Sequence, residues 1–180
     1  PNVLDSWSLI LKEVKGSFLL IYSDSEAAKV NLINEIILRG VDSKRVIFLR
    51  SLPRPEYLAR YRVADLFLDT RPYNAGTTAS DALRMGLPLL TMRGDSFNSR
   101  EASGILSALN LPELITSTPK DYESLAIELA TNSEKFQLIK EKLQLNLSAA
   151  SLYNTKLFTI NLESAYGLIY ERYQAGLELD

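Results

Sequence analysis

The sequence contains no cysteine and no histidine among its 180 residues. Without cysteine, the chain can form no disulfide and carries no thiolate nucleophile. Without histidine, it lacks the commonest general base at neutral pH and the commonest protein ligand of transition metals. Catalysis by a cysteine or histidine of this chain is therefore excluded.

The sequence also has little net charge and no long apolar run. The net charge is −2, so we expect no general attraction to nucleic acid or to anionic membranes. No apolar run reaches the roughly 18 residues of a membrane span, and no signal peptide is visible. We therefore expect a cytoplasmic protein with no nucleic-acid or membrane partner. The chain begins at Pro1 in what already has the pattern of a helix start, so we expect it to be a piece of a longer protein.

What is present is an alternation of strand and helix patterns along one domain-sized chain. Apolar runs predict strands at 17–22, 45–49, 64–69, 88–92 and 113–115. Helical periodicity predicts helices at 5–14, 26–39, 55–61, 77–85, 97–109, 119–131, 133–147 and 154–174. Such alternation is typical of an α/β fold, a Rossmann-like parallel sheet with helices on both faces. Residues 133–180 close the chain as helices, and we expect the tyrosines of the last helix, Tyr166, Tyr170 and Tyr173, to be packing residues.

The most informative segment is the small-residue loop that follows the predicted strand 64–69 and leads into a helix. Gly76, Thr77 and Thr78 lie at the predicted helix start, where free N–H groups and the helix dipole attract anions. Asp81 lies one turn further on, where a carboxylate suits a sugar hydroxyl better than a phosphate. The geometry suggests a nucleotide, with its phosphates at the threonines and its ribose at Asp81. The alternative is that Thr77 merely caps the helix after an ordinary turn.

A second polar segment follows the predicted strand 45–49. It offers Arg54, Tyr57 and Arg60, so a base could stack on the tyrosine while the arginines donate to ribose or base oxygens. Tyr61, in contrast, should face inward beside a strand. Ligands of parallel α/β sheets bind beyond the carboxyl ends of the strands, and both polar segments fall at such ends. The alternative is a surface helix with solvated arginines.

Several blocks of the sequence occur in the order found in one enzyme family. The blocks are 45–48, 52–57, 64–70, 74–83 and 86–92, followed by 99–103 and 153–159. In this combination the chain resembles the C-terminal half of the O-linked N-acetylglucosamine transferase and SPINDLY family, glycosyltransferase family 41. The resemblance covers nearly the whole chain, and several ordered blocks are more specific than any single motif.

The resemblance implies roles for the segment after the second strand. The position of Leu52 offers its backbone to the base of the donor nucleotide. Arg54 stands where the family has a lysine that contacts the nucleotide. Tyr57 stands where a histidine stacks on the base, and Arg60 where an arginine approaches it. Both departures keep charge or planarity, so the roles are retained as expectations.

The resemblance also implies roles for the loop and the helix that follows it. Thr77 and Thr78 match the paired threonines at the diphosphate, and Asp81 matches the ribose-binding aspartate. Gly76 departs from the animal enzymes, which have histidine there. Glycine loses that side-chain contact but leaves a backbone N–H that can approach a phosphate closely.

For function, the resemblance implies the donor-binding half of a GT-B glycosyltransferase, spanning residues 1–180. The parent would transfer a sugar, GlcNAc from UDP-GlcNAc, to Ser or Thr of proteins without a metal or other cofactor. The missing half, preceded by tetratricopeptide repeats, would bind the protein acceptor and supply active-site groups, so we assign no catalytic residue and no metal ligand here. The alternatives are a non-catalytic nucleotide-sensing or protein-interaction module, a SPINDLY-like enzyme that uses GDP-fucose, and a plain α/β domain without a ligand.

Overall fold

The part of the chain that the structure describes contains five short strands and eight α-helices. The structure, a computed structural model, describes residues 2–178. The strands are β1 Leu19–Tyr22, β2 Val46–Leu49, β3 Phe67–Leu68, β4 Leu89–Met92 and β5 Ile115–Thr116. The helices are α1 Asn2–Glu13, α2 Glu26–Leu38, α3 Arg54–Arg60, α4 Thr77–Arg84, α5 Glu101–Ala108, α6 Pro119–Thr131, α7 Ser133–Ala149 and α8 Thr155–Gln174.

All strand pairs are parallel, as the alternation predicted. β1 pairs with β2, and β3, β4 and β5 form a second sheet in that order. The hydrogen-bonded ladder of the described residues is thus divided into two parallel sheets rather than continuous across all five strands. Parallel strands need a crossover between them, and a helix supplies each one, which places helices on the sheet faces.

Three predicted boundaries were wrong for identifiable reasons. The strand predicted at 64–69 shrinks to β3 because a 3₁₀ turn, Tyr61–Val63, extends the preceding helix. The strand predicted at 113–115 moves to β5 because the proline of the 3₁₀ turn Pro112–Leu114 holds the preceding residues in a turn. The helix predicted from residue 97 begins only at α5, because hydrogen bonds between Ser96 and Ser99 close a turn before it.

The side chains of α1 join the two sheets. Ile10 packs in a cluster with Leu90 of β4 and Tyr122 of α6. Its neighbour Leu11 packs in another cluster with Ile36 of α2 and Val46 of β2. Two adjacent residues of α1 therefore pack into the cores of the two sheets. A third and larger cluster lies between α4, α5, α7 and the second sheet; it includes Leu83, Leu89, Leu106, Leu114 and Leu143.

Helix α8 lies outside these clusters. Its tyrosines, Tyr166, Tyr170 and Tyr173, are between 63% and 71% exposed, so the expectation that they are packing residues is not met within residues 2–178. The helical spacing suggested a packing face, and spacing alone does not say whether the partner surface belongs to the same chain. Among residues 2–178, no helix combines the length and the apolarity that crossing a membrane requires.

Candidate functional site

The two polar segments predicted from the sequence meet at the carboxyl ends of the strands. Arg54, at the start of α3, donates two hydrogen bonds to Asp81 of α4. Nη1 lies 2.8 Å from Oδ2 and Nη2 lies 2.7 Å from Oδ1. The carboxylate is nearly buried, with 10% of its side chain exposed, whereas the guanidinium side chain is 60% exposed. Arg54 therefore shields from solvent the carboxylate of Asp81, which is the residue predicted to bind the ribose. It is not a freely solvated arginine.

Tyr57 joins this pair from the next turn of α3. Its hydroxyl donates to Oδ2 of Asp81 at 3.2 Å and lies 2.7 Å from the hydroxyl of Tyr61. The two tyrosine rings meet edge to face with centroids 5.3 Å apart, and the ring of Tyr61 packs on Phe67 of β3. Tyr61 thus faces inward, as predicted. Burial, and then the hydrogen bond with Tyr57, raise the pKa of the Tyr61 hydroxyl, so it stays protonated.

The ring of Tyr57 is flanked by two cations. The Cζ atoms of Arg54 and Arg60 lie 5.2 and 5.3 Å from its centroid. Arg60 also donates to the backbone oxygen of Arg50 at 3.0 Å, which ties α3 to the end of β2. A base that stacks on Tyr57 must therefore share the ring with these guanidinium groups. Leu52 lies half-buried in the extended segment between β2 and α3.

The loop between β3 and α4 is organised by Asp69, whose role in holding this loop was not predicted from the sequence. Its carboxylate accepts hydrogen bonds from the backbone N–H groups of Thr70 at 2.8 Å and Ala75 at 2.7 Å, and from the hydroxyl of Thr91 at 2.5 Å. Burial raises the pKa of Asp69 to about 6 even though these three donors act to lower it. An aspartate directly after an apolar strand and before a small polar loop is a signal that could have identified it.

The first turn of α4 is open. Gly76 occupies the N-cap position, and no side chain caps the helix, so the alternative of Thr77 as a cap was wrong. Thr77 and Thr78 are exposed, and their hydroxyl groups make no hydrogen bond within residues 2–178. The N–H groups of a first helical turn have no partner inside the helix. Backbone donors and two hydroxyl groups therefore face solvent together, next to the carboxylate of Asp81.

The predicted site residues thus fall into three sets. Arg54, Tyr57 and Asp81 are in direct contact, and Arg60 reaches the ring of Tyr57. Gly76, Thr77 and Thr78 form the start of the helix that carries Asp81. Leu52 lies in the segment that leads into α3. In the described part of the chain, no group of three or more acidic side chains is arranged to hold a metal ion.

Comparison with known proteins gives consistent results. The profile described as glycosyl transferase family 41 matches residues 1–162. A UDP-N-acetylglucosamine–peptide N-acetylglucosaminyltransferase of Caenorhabditis elegans is 31% identical over 180 residues, covering 100% of this chain and 16% of the relative. A probable enzyme of the same name, SPINDLY of Hordeum vulgare, is 28% identical, covering 98% of this chain and 19% of the relative. The chain thus spans less than a fifth of the length of these relatives.

A solved structure agrees with both the fold and the sequence. An O-GlcNAc transferase mutant of Thermobaculum terrenum superposes with a TM-score of 0.85 at 32% identity, over 92% of this chain and 32% of that one. The expected fold class, a Rossmann-like α/β domain of the GT-B type, is confirmed by this likeness. Because the family profile covers most of the chain, the chain belongs to glycosyl transferase family 41.

Proposed function

We propose that this chain is the donor-binding half of a protein O-glycosyltransferase and binds a UDP-sugar, UDP-GlcNAc, at the junction of α3 and α4. The base lies on Tyr57 with Arg60 and the backbone of Leu52 beside it. The ribose hydroxyls donate to Asp81, and the diphosphate lies at Gly76, Thr77 and Thr78. The names of the relatives support this donor, since they specify UDP-N-acetylglucosamine as the substrate of those proteins.

The observation that carries the proposal is the position of the nearly buried Asp81 carboxylate one turn above an uncapped helix start. A carboxylate accepts hydrogen bonds from hydroxyl groups, whereas the open turn attracts anions. A nucleoside diphosphate presents both features at the matching distance of about one helical turn, roughly 5 Å.

The carboxylate of Asp81 can accept a further donor while it is bound to Arg54. Arg54 donates to both of its oxygens and Tyr57 donates to Oδ2, whereas an ionised carboxylate offers about four acceptor sites. In this proposal a ribose hydroxyl donates to Asp81 beside these groups. The guanidinium of Arg54 is exposed on the solvent side, where it can also donate to the nucleotide's oxygens.

The transfer reaction itself belongs to the longer parent in this proposal. The parent moves the sugar to a Ser or Thr hydroxyl of a protein bound by its other half and by tetratricopeptide repeats. Helix N–H groups and the two threonine hydroxyls stabilise the charge that grows on the leaving diphosphate, so no metal ion or cofactor is required. We place the protein in the cytoplasm, with nucleotide sugar and acceptor protein as its partners.

Calorimetric titration of the chain with UDP and with GDP tests the proposal. We expect UDP to bind, and Asp81→Ala to weaken binding by about 1–3 kcal/mol because a hydrogen bond to the ribose is lost. Asp65→Ala is the matched control, since Asp65 is an exposed aspartate that makes no hydrogen bond or ion pair within residues 2–178. NMR shifts on adding UDP should cluster on α3 and the start of α4. Shifts confined to α7 and α8 would overturn the site, and binding of GDP alone would favour a GDP-sugar donor.

The second candidate is a nucleotide-sensing module without transferase activity, which would bind the nucleotide through the same Arg54, Tyr57 and Asp81 groups. A radiolabelled-sugar assay on the full-length parent separates the two candidates. Transfer to protein supports the enzyme, and nucleotide binding without transfer supports the sensor.

A further inference from the structure

The backbone that leads into α4 is held by one carboxylate oxygen rather than by a helix cap. Oδ1 of Asp69 accepts a hydrogen bond from the N–H of Ala75 at 2.7 Å, and Ala75 directly precedes the N-cap residue Gly76. The same oxygen accepts from the N–H of Thr70 at 2.8 Å. One atom therefore holds both ends of the loop 70–75, and it fixes where the open first turn of α4 begins.

Asp69 is in turn fixed by elements that take no part in the nucleotide site. The hydroxyl of Thr91 in β4 donates to its Oδ2 at 2.5 Å, and the hydroxyl of Tyr122 in α6 donates to its backbone oxygen at 3.0 Å. Only 3% of Asp69 is exposed. The carboxylate therefore connects the start of α4 to the buried framework formed by β4 and α6.

Asn74 orders the same loop without using the groups that face solvent. Its Nδ2 atom donates to the backbone oxygen of Thr70 at 2.8 Å, and its backbone N–H donates to the oxygen of Asn98 at 2.9 Å. None of these bonds involves a donor of Thr77 or Thr78. The loop is thus ordered before a ligand arrives, which lowers the entropy cost of binding.

The charge of Asp69 opposes an anion at this turn. Glu101 of α5 adds to it, since its Oε1 would lie 3.0 Å from a Cβ atom at position 76 and its charge helps to raise the pKa of Asp69. Also beside Asp69 are Tyr122, whose pKa is raised by burial so that it stays neutral, and Arg71, which packs on the Tyr122 ring. A protonated Asp69 keeps one oxygen as an acceptor, so it can hold the loop without the opposing charge.

We propose that Asp69 is a positioning residue for the diphosphate, which acts through the N–H of Ala75 to fix the first turn of α4 where the phosphate groups bind. It does not contact the nucleotide itself. The inference rests on the proposed function, because it requires a diphosphate at this turn. Loss of the acceptor at position 69 should therefore affect a nucleotide with phosphates and leave the corresponding nucleoside unaffected.

Calorimetry with UDP and with uridine tests this role. The readout is the ratio of the UDP to the uridine dissociation constant at pH 7.5, which isolates the contribution of the phosphates. We expect Asp69→Ala to raise this ratio about 5- to 20-fold, because the N–H groups of Thr70 and Ala75 lose their shared acceptor. Asp69→Asn keeps an oxygen there and should restore the ratio. Asp65→Ala, which alters an exposed aspartate, is the control and should leave the ratio unchanged.

The pH dependence supplies a second measurement, which does not require the alanine variant to fold. A bound diphosphate favours the neutral form of Asp69, so binding takes up protons near the pKa of about 6. The affinity of the unaltered chain for UDP, relative to that of Asp69→Asn, should therefore rise about 2- to 6-fold between pH 7.5 and pH 5.5. Titration of the UDP phosphate cancels in this ratio, because both proteins bind the same ligand.

Three results would overturn the inference. They are an equal loss of affinity for UDP and uridine in Asp69→Ala, an Asp69→Asn variant that binds UDP as weakly as Asp69→Ala, and a relative affinity that does not change with pH. In each case UDP still binds the unaltered chain, so the proposed function stands. If the unaltered chain binds GDP instead, GDP and guanosine replace the two probes. If it binds neither nucleotide, the proposed function is wrong and the role of Asp69 falls with it.

Discussion

The ring and the hydroxyl of Tyr57 make separate contacts, so substitutions can distinguish them. We expect Tyr57→Ala to weaken UDP binding by about 1–3 kcal/mol through loss of base stacking. Tyr57→Phe should cost much less, because it keeps the ring face and removes only the 3.2 Å contact of the hydroxyl with Asp81. Calorimetry with UDP measures both variants. If Phe weakens binding as much as Ala, the hydroxyl rather than the ring face carries the interaction.

Asp69 should make stability depend on pH in a direction unusual for a carboxylate. Burial raises its pKa in the folded chain to about 6, above the value of an unperturbed aspartate, so the folded state binds its proton more tightly than the unfolded state. Its contribution is therefore most favourable below about pH 4 and is lost as pH rises to about 6, by roughly 3 kcal/mol for a two-unit shift. Asp69→Asn keeps an acceptor for the Thr70 and Ala75 N–H groups but does not titrate.

Urea unfolding at pH 4.5 and at pH 7.5 measures this effect. The quantity compared is the unfolding free energy of Asp69→Asn minus that of the unaltered chain. This difference should be more positive at pH 7.5 than at pH 4.5, which means that the asparagine variant gains relative stability at the higher pH. The comparison cancels the titration of other carboxylates, which both proteins share. A difference that does not change with pH would show that Asp69 has an ordinary pKa in the folded chain.

For individual residues, the sequence predicted which side chains lie together in the site, but not all of their hydrogen-bond partners. The residues of the two polar segments, which follow β2 and β3, were identified because each segment comes after an apolar run. The bond between Arg54 and Asp81 was not predicted, since it depends on how α3 and α4 are placed relative to one another. The role of Asp69 in holding the loop was not predicted, because its hydrogen bonds to Ala75 and Thr91 depend on how the chain folds around it.

Among the elements, α4 begins without a side-chain cap, and the proposed function places the diphosphate at this first turn. Its first-turn hydroxyls make no hydrogen bond within residues 2–178. We expect the double variant Thr77→Ala, Thr78→Ala to change the unfolding free energy by less than about 0.5 kcal/mol, as is usual for exposed sites. The same variant should weaken binding of UDP but not of uridine, which lacks phosphate.

Thermal unfolding and calorimetry together check this expectation. Ser25, whose hydroxyl accepts a hydrogen bond from the N–H of Ala28 at the start of α2, is the control. Ser25→Ala should destabilise the chain by about 1 kcal/mol, the usual cost of losing a helix cap, without affecting UDP binding. If the threonine variant loses stability to the same degree, its hydroxyls act as structural caps.

The elements themselves were predicted well where periodicity was long and poorly where it was short. The limits of α2 and α6 agree with the prediction within one residue, because capping residues and apolar spacing coincide there. β3 and β5 have only two residues each, too few for a pattern, and neighbouring 3₁₀ turns set their limits. The environment of α8 could not be predicted, since its apolar spacing is compatible with any partner surface.

For the whole molecule, we expect residues 1–180 to bind nucleotide and to transfer nothing. Transfer from a donor to a protein acceptor requires both to be held at the correct distance and orientation. Misplacement alone can cost orders of magnitude in rate. A radiolabelled-sugar assay on the chain and on its full-length parent checks this. Transfer by the chain alone, with any acceptor peptide, would show that it holds the complete active site.

The position of α1 has a consequence for how the molecule loses its structure. Ile10 and Leu11 pack into different cores. Neither sheet can therefore separate from α1 without exposing apolar surface of that sheet and of the helix. The two sheets share no strand pairing in the described residues, yet α1 couples them energetically. Amides of β1 and of β4 should therefore exchange with solvent through a common cooperative opening, as members of one folding unit.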